Sequence, residues 1–218
     1  FRAMLADTRR YDFQLARLRE EQESTATIGL SSEGIGFPST IHDLRTAPDN
    51  VDSWRRIALT MRAIAPHVFD ANVSTLGTGK QFVRFVEYRT GRPVESWESS
   101  DGTLRALAIL AAVETHPSDA TLLIEEPEHG LHPWAIRILM DHVKEAIKTR
   151  NVQVLVTTHS QQVLDSVAPD QVIVATRSEA KGTEFTPVSK MFPAGAIAEG
   201  EVGRLWVRGL LGGVPSYE

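Results

Sequence analysis

The sequence predicts an α/β fold built on a parallel sheet, and two features of the chain support this prediction. Short apolar runs that end in polar residues, at 121–126 and 152–158, are typical of buried parallel strands. Amphipathic stretches with helical spacing lie between these runs and beside further apolar runs. Because alternating strands and helices favour right-handed βαβ units, we expect a parallel sheet covered by helices.

The composition is that of an ordinary globular protein and excludes several classes. Of 218 residues, 42% are hydrophobic and 23% are charged, and the net charge of −5 leaves no global footprint for nucleic acid. The absence of cysteine excludes disulfides and thiolate metal sites, and it is compatible with a cytoplasmic location. No apolar run is long enough to cross a bilayer, and no signal peptide opens the sequence. Phe1 stands where a start methionine is expected, which indicates a fragment, a processed chain or the visible part of something longer.

The first third of the chain is expected to contain a connector, one helix and a hairpin. Residues 1–23 mix apolar and charged positions, which predicts a connector and part of an amphipathic segment. Residues 24–50 are rich in Ser, Thr, Gly and Pro, so a loop is predicted. Apolar residues at helical spacing predict a helix over 51–64, which Pro66 ends. Aromatic and β-branched residues between 71 and 98 predict a β-hairpin.

A glycine-rich stretch at 76–80 (LGTGK) shares letters with a phosphate-binding loop. That loop needs a glycine, four residues, and then Gly-Lys-Ser or Gly-Lys-Thr, with a strand before it and a helix after it. Here Ser74 stands in place of the first glycine, Gln81 replaces the hydroxyl residue, and a strand is predicted to follow. The stretch is therefore predicted to be a hairpin turn.

Small polar residues at 99–103 precede an Ala- and Leu-rich run that stops before Pro117. Ser, Asp and Thr are good cap residues, so the pattern predicts the start of a helix. The unpaired N–H groups and the dipole of such a helix start also suit an anion. A simple cap and an anion site are compatible, and the residues alone leave both open.

Two adjacent acids, Glu125 and Glu126, directly follow the apolar residues 121–124. We expect them at the carboxyl edge of the sheet, where ligands bind in open α/β folds. One carboxylate there can hold Mg²⁺ together with substrate phosphates, and the other can orient or deprotonate a water molecule. A solvated strand end is the alternative for an acid pair taken alone.

The remaining chain continues the alternation of helices and strands. A helix is predicted over 134–148, strands are predicted at 171–176 and 182–186, and a last helix is predicted within 194–211.

Three motifs in this order resemble the C-terminal half of an ATP-binding-cassette (ABC) ATPase head. They are the helix start at 100–102, the segment LLIEEPEHGLHP at 122–133, and LVTTHS at 155–160. The closest resemblance is to stand-alone ATPases related to the chromosome-maintenance (SMC) and recombination-repair ATPases, such as AAA-family ATPases of bacterial phage defence and overcoming-lysogenisation-defect systems. The resemblance implies a P-loop NTPase lobe with a parallel sheet, preceded by a helical and hairpin region.

The resemblance also implies roles for residues at a dimer interface. Ser100, Asp101 and Gly102 stand at the signature motif, which in the family meets the γ-phosphate of ATP bound by a second subunit. His129 and His132 fall at the loop that crosses the dimer interface, called the D-loop. The expected partner is therefore a second copy of the head, and DNA, RNA or an effector protein is a further possible partner; no membrane is expected.

The catalytic roles follow from the same resemblance. Glu125 is similar to the Walker B acid that serves Mg²⁺, and Glu126 to the glutamate that activates water. His159 falls at the switch histidine that senses the γ-phosphate. The implied cofactors are ATP and Mg²⁺, and the implied activity is ATP hydrolysis that drives a DNA-related or phage-defence complex.

The chain departs from the transporter members of the family, and it lacks one part of the site. The signature has Ser99 and Asp101 where leucine and glycine are usual, Glu125 replaces an aspartate, and His132 replaces an acid. No phosphate loop occurs in the sequence, because the family carries it in another lobe. This chain by itself is therefore expected to bind ATP poorly.

The resemblance divides the chain into three parts of one head. Residues 1–96 are expected to form the connector, helix and hairpin region, residues 97–176 the core with all the motifs, and residues 177–218 a C-terminal strand and helix.

Two other functions remain open at this stage. The chain could be a docking module without its own nucleotide site, or a metal-dependent hydrolase that uses its acids and histidines as ligands. Metal ligation predicts Zn²⁺ or Mn²⁺ binding without nucleotide, whereas the ATPase predicts metal binding only with ATP. The candidate ligands are Glu125, Glu126, Glu128, His129, His132, His159 and, more distantly, His116.

Overall fold

A computed structural model of the protein describes residues 8–24, 29–178, 182–193 and 195–212. The chain divides into two compact units, Phe1–Thr157 and Thr158–Glu218. Within the described residues, no helix is both long enough and apolar enough to cross a membrane. The start of the predicted connector, residues 1–7, lies outside the described residues.

The first unit contains a parallel sheet, an antiparallel sheet and a layer of helices. Its helices are α1 (Leu15–Arg19), α2 (Phe37–Thr46), α3 (Val51–Ile64), α4 (Asp101–Thr115) and α5 (Pro133–Arg150). Its strands are β1 (Arg9–Tyr11), β2 (Val68–Thr75), β3 (Gln81–Glu87), β4 (Pro93–Glu95), β5 (Thr121–Glu125) and β6 (Gln153–Thr157).

The parallel sheet has the strand order β1-β5-β6, which confirms the predicted parallel strands. Leu122 and Ile124 of β5 are buried, as an apolar central strand requires. The expectation that β6 is equally buried is wrong, because Leu155 is 49% exposed. Among the described residues β6 pairs only with β5, so it lies at an edge of the sheet.

Helix α4, which the Ala- and Leu-rich run predicted, forms the centre of the core. Its apolar side chains are buried all round the helix, including Leu104, Leu107 and Leu110. Helices α3 and α5 both pack against it and against each other. A helix that is apolar on every side needs such neighbours, which explains why α4 is covered over its whole length.

The C-terminal end of α4 is held by a buried charged cluster. Glu114, whose side chain is 1% exposed, accepts hydrogen bonds from Arg56 at 2.9 and 2.6 Å. Nε2 of His142 lies 3.0 Å from the same carboxylate, and Nδ1 of His142 lies 2.9 Å from the hydroxyl of Thr60. Burial alone would raise the pKa of Glu114, but the hydrogen bonds and charges of Arg56 and His142 lower it to about 2.

The prediction of a loop over 24–50 is wrong for the second half of this range, where α2 occupies Phe37–Thr46. The breakers occupy positions that a helix start accepts. Pro38 lies in the first turn, where no N–H donor is required, and Gly36 has φ 83° just before the helix. Phe37 and Ile41 are then fully buried against the core.

Strands β2, β3 and β4 form the antiparallel sheet, which extends the predicted hairpin by one strand. The 76–80 stretch is the turn between β2 and β3, where Leu76 N donates to Lys80 O at 2.8 Å. A strand on either side confirms the predicted turn and differs from the strand–loop–helix context of a phosphate loop. Val83 and Phe85 of β3 face the core.

The second unit contains a two-stranded sheet and short helices. Its elements are α6 (Gln161–Leu164), β7 (Ile173–Ser178), β8 (Gly182–Pro187), α7 (Val188–Met191) and α8 (Val202–Val207). The predicted strands exist, but β7 pairs antiparallel with β8, so the expectation of a further parallel βαβ unit is wrong here. The three residues between them are too few for the crossover that parallel strands need.

The final helix is shorter than predicted. Apolar residues at helical spacing run across 194–211, but only Val202–Val207 is helical among its described residues. Gly200 and Gly209 have φ values of 82° and 71°, which a right-handed helix does not contain.

Candidate functional site

Residues 125–131, here called the acid turn, connect β5 to the segment before α5. Glu126 has φ 42°, an uncommon conformation for a residue with a side chain. Its N–H donates to Thr157 O at 3.0 Å, and its carbonyl accepts from His129 N at 3.2 Å. A left-handed residue of this kind persists only where its surroundings define it, and such residues cluster at functional sites.

Glu125 ends β5 and is held by the neighbouring strand. Arg10 of β1 donates from Nε to Oε1 of Glu125 at 2.5 Å, and it also lies 3.6 Å from Asp12. The hydrogen bond and charge of Glu125 raise the pKa of Arg10. Both side chains are partly exposed, so solvent screens the pair. Among the described residues, Arg10 bonds to Oε1 of Glu125 only, and the Glu125 side chain is 34% exposed, so a hydrated cation can reach it.

Glu126, the predicted base, is paired within the acid turn itself. Nε2 of His129 lies 2.5 Å from Oε2 of Glu126. The histidine is 59% exposed and the glutamate 31%, so solvent reaches both groups. His129 therefore orients the carboxylate of Glu126.

The predicted signature residues lie at the start of α4. Ser100 is the N-cap, and its Oγ accepts a hydrogen bond from Thr103 N at 3.2 Å. Asp101 pairs with Arg19 of α1 at 2.5 Å, and Arg19 also donates to Ser99 O at 2.9 Å. Helix α1 thus fixes the loop that leads into α4.

Gly102 packs directly on the acid turn. A Cβ atom at this position would overlap the carbonyl oxygen of Gly130, which is backbone and cannot rotate away. Gly130 has φ 75° and lies against Asp101 and the N–H of Gly102 in turn. The two glycines bring the start of α4 and the acid turn into contact.

Arg105 is a residue of this site that sequence reasoning missed. It lies one turn after Asp101 on α4, is 9% exposed, and donates to Phe13 O at 3.1 Å. An arginine inside an Ala- and Leu-rich helix was the available signal, since arginine stays charged when buried. Burial lowers the pKa of Arg105, and four nearby carboxylates oppose that effect: Asp12, Asp101, Glu126 and Glu128.

Besides His129, the candidate ligands include three more histidines, and these occupy different surroundings. His132 is exposed and caps α5, its Nδ1 accepting from Trp134 N at 3.2 Å. His116 is fully buried just after α4. His159 is exposed and belongs to the second unit, so its position relative to the acid turn stays a prediction.

The ligand set of a metal-dependent hydrolase is not assembled. Among the described residues, no three or more acids and histidines are grouped so that they could hold a metal ion. His129 instead pairs with Glu126, and His132 caps a helix. The hydrolase alternative therefore finds no support in the geometry.

The solved structures that are similar to this chain include SMC-type ATPase heads. An SMC head bound to the C-terminal winged-helix domain of ScpA aligns with a TM-score of 0.50 at 14% identity, over 66% of this chain and 45% of that one. A structure from a study of ATP-driven dimerization and DNA-stimulated activation of SMC ATPases has a TM-score of 0.49 at 12% identity, over 64% and 88%. The Smc head domain of Pyrococcus yayanosii, solved with a coiled coil and joint, aligns with a TM-score of 0.48 at 12% identity. That alignment covers 66% of this chain and 29% of the Smc chain. This chain thus spans less than half of the first and third of these chains.

The α/β fold with its parallel sheet is that of a P-loop NTPase, as predicted. Residues 5–165 match the family described as "AAA domain, putative AbiEii toxin, Type IV TA system", and the chain belongs to this family. No curated protein matches the chain. The fold and the family support a nucleotide-binding ATPase function.

Proposed function

We propose that this chain is the lobe of a dimerising ABC-type ATPase head that contributes the acidic residues and the signature helix to a composite ATP site. The observation that carries the proposal is the contact between Gly102 and Gly130. This contact joins the start of α4, which favours anions, to the acid turn, which begins with Glu125 and Glu126.

The donor set of the acid turn fits Mg²⁺ and a nucleotide. Mg²⁺ is commonly held by one or two carboxylates together with substrate phosphates, and the partly exposed carboxylate of Glu125 is available for this role. Bound Mg²⁺–ATP would supply the phosphoryl group that is transferred to water. Glu126 would orient that water and accept its proton, and His129 would keep the carboxylate in position.

The start of α4 would face the nucleotide of a second copy. Ser100 and Gly102 would offer a hydroxyl and backbone N–H groups to the γ-phosphate, as the resemblance implies. An aspartate beside a phosphate is unfavourable unless its charge is offset, and Arg19 offsets Asp101. His132 at the exposed start of α5 and His159 of the second unit would complete the dimer interface and the γ-phosphate contact.

The phosphates need a cradle that this sequence does not contain. The turn at 76–80 lies between two strands, so the N–H groups and lysine of a phosphate loop would come from another lobe. Hydrolysis would drive a DNA-related or phage-defence complex, and the family description names a putative AbiEii toxin of a type IV TA system.

The test is Glu126→Gln in protein that includes a phosphate loop. We expect ATP hydrolysis to fall at least about 100-fold, as for loss of a general base, while ATP binding persists and an ATP-bound dimer accumulates in light scattering. Glu145→Gln, an exposed substitution on α5, is the matched control and should change neither quantity. Turnover at the wild-type rate in Glu126→Gln would remove Glu126 as the base. Absence of ATP binding in the wild type would favour a docking module.

A further inference from the structure

The antiparallel sheet and the residues beside it expose three aromatic rings. Alternate residues of β3 point to opposite faces, so Phe82 and Arg84 share the face away from the core. Phe69 is 48% exposed, Tyr88 67% and Trp97 46%, although large aromatic side chains are usually well buried. Phe82 itself is only 3% exposed, in contact with Trp97 and Arg84, so it supports the exposed rings and does not join them. We call the three exposed rings the aromatic face: Phe69, Tyr88 and Trp97.

The exposed rings belong to two ring pairs, and an arginine stacks on each pair. Phe69 and Tyr88 have ring centroids 6.2 Å apart, and the guanidinium of Arg62 lies 5.0 Å from the Phe69 ring. Phe82 and Trp97 are 4.9 Å apart, and Arg84 lies 5.4 Å from the Phe82 ring. Tyr88 directly follows β3 and lies six positions after Phe82, so the pairs lie about 20 Å apart.

The Tyr88 end of this face is basic although the protein is acidic. Arg89 and Arg92 are exposed in the turn that follows Tyr88, and His67 is exposed beside it. Within the described residues, none of Arg62, Arg89 and Arg92 forms an ion pair. Two of the nearby acids are paired with other arginines, Asp70 with Arg45 and Glu95 with Arg84. Glu87 accepts a hydrogen bond from Thr90 and keeps its charge, so three arginines face one unpaired acid here.

We propose that the aromatic face binds single-stranded nucleic acid. Bases would stack on the exposed rings, and phosphates would pair with Arg62, Arg89 and Arg92. Stacking on aromatic rings along a positively charged track is how proteins bind single strands without sequence preference. A duplex keeps its bases stacked on each other and cannot use exposed rings, and an acidic peptide would use the arginines but not the ring pairs.

The site involves neither the acid turn nor the start of α4, so it stands independently of the ATPase proposal. Its test needs no nucleotide. Fluorescence anisotropy with a labelled oligo-dT of about 15 nucleotides would measure affinity, with oligo-rU, a duplex of equal length and polyglutamate as comparison ligands. We expect both single strands to bind more tightly than the duplex or the peptide.

Phe69→Ala with Tyr88→Ala tests the rings. Loss of base stacking should weaken oligo-dT binding at least about tenfold. Phe185→Ala removes an equally exposed aromatic ring from the second unit and should leave binding unchanged. Because the substituted side chains are exposed, thermal unfolding should show both variants folded.

Arg89→Ala with Arg92→Ala tests the charges. Loss of two phosphate contacts should make the dependence of log K on log salt shallower by about 1.4. The exposed Arg177→Ala and Arg208→Ala are the matched control. The proposal is overturned if oligo-dT does not bind at low salt, if the duplex or polyglutamate binds as tightly, or if the ring variant binds like the wild type.

Discussion

The acid turn and the turn at 76–80 both contain glycines and both follow strands, yet only the acid turn is packed. Gly130 of the acid turn contacts the start of α4, and Arg10 and Arg105 lie beside its acids. Around Gly77 and Gly79 no atom lies within 4 Å of the place a Cβ would occupy. The sequence of the 76–80 turn is more similar to a phosphate loop, but only the acid turn has the packing contacts and nearby charges expected of a functional site.

The largest loss of stability is expected from a substitution at the C-terminal end of α4. The N-terminal end of this helix contacts the acid turn. Glu114→Gln leaves Arg56 and Arg150 without their buried partner, so the free energy of unfolding should fall by about 3 kcal/mol. Chemical denaturation measures this, and the exposed Glu145→Gln should change it by less than about 0.5 kcal/mol. Equal stability of both variants would show that the cluster does not anchor α4.

The same cluster predicts a pH dependence. The pKa of Glu114, about 2 in the folded protein, is below its ordinary value of 4.5. Its ionised form therefore contributes stability above pH 4.5, and this contribution is lost as the pH falls from 4.5 towards 2. Glu114→Gln should show a smaller loss of stability over this range.

Gly102→Ala tests the contact between α4 and the acid turn directly. The added methyl group must displace the backbone of Gly130, which should cost about 2 kcal/mol of unfolding free energy. Gly77→Ala, in the open turn, has space around it and should cost less than about 0.5 kcal/mol. If denaturation gave the two variants the same stability, the difference between the turns would disappear.

Arg105→Met should lower the free energy of unfolding by a smaller amount, about 1 kcal/mol. The carbonyl of Phe13 loses its hydrogen-bond donor, and four carboxylates lose a nearby positive charge. Arg105→Lys keeps the charge and should recover part of this stability. Denaturation at low and high salt separates the hydrogen bond to Phe13 from the attraction to the carboxylates, because salt screens only the attraction between charges. A lysine variant no more stable than the methionine variant would mean that packing alone explains Arg105.

Lys80→Ala is expected to have the smallest effect. In protein that includes a phosphate loop, Mg²⁺–ATP affinity should stay within about twofold of the wild type, since the 76–80 turn lacks the context of that loop. Equilibrium titration with a fluorescent ATP analogue measures the affinity. A tenfold loss would identify the open turn as a phosphate site after all.

Local sequence patterns predicted the elements whose structure depends on their own residues. The apolar runs before Glu126 and His159 gave strands, and the Ala- and Leu-rich run gave α4. Strand β1 was missed because its three residues, Arg9–Tyr11, become a strand only by pairing with β5. Arg10 lies 115 residues from Glu125 in the sequence, and no local pattern can predict such a pair.

Tertiary context also explains the other differences. Pro38 breaks a helix interior but suits a first turn, and only the observed helix shows which position it occupies. The glycine at 102 was predicted from the motif, whereas its contact with Gly130 depends on how α4 meets the acid turn.

The central claim is that the carboxyl edge of β5 holds the metal ion of a bound nucleotide, and Mn²⁺ in place of Mg²⁺ tests it most directly. Electron paramagnetic resonance would count free Mn²⁺ in protein that includes a phosphate loop, for the wild type and for Glu125→Gln. We predict that the wild type binds Mn²⁺ only when ATP is present, and that Glu125→Gln weakens this binding. Mn²⁺ binding without ATP, or equal binding by both proteins with ATP, would contradict the account.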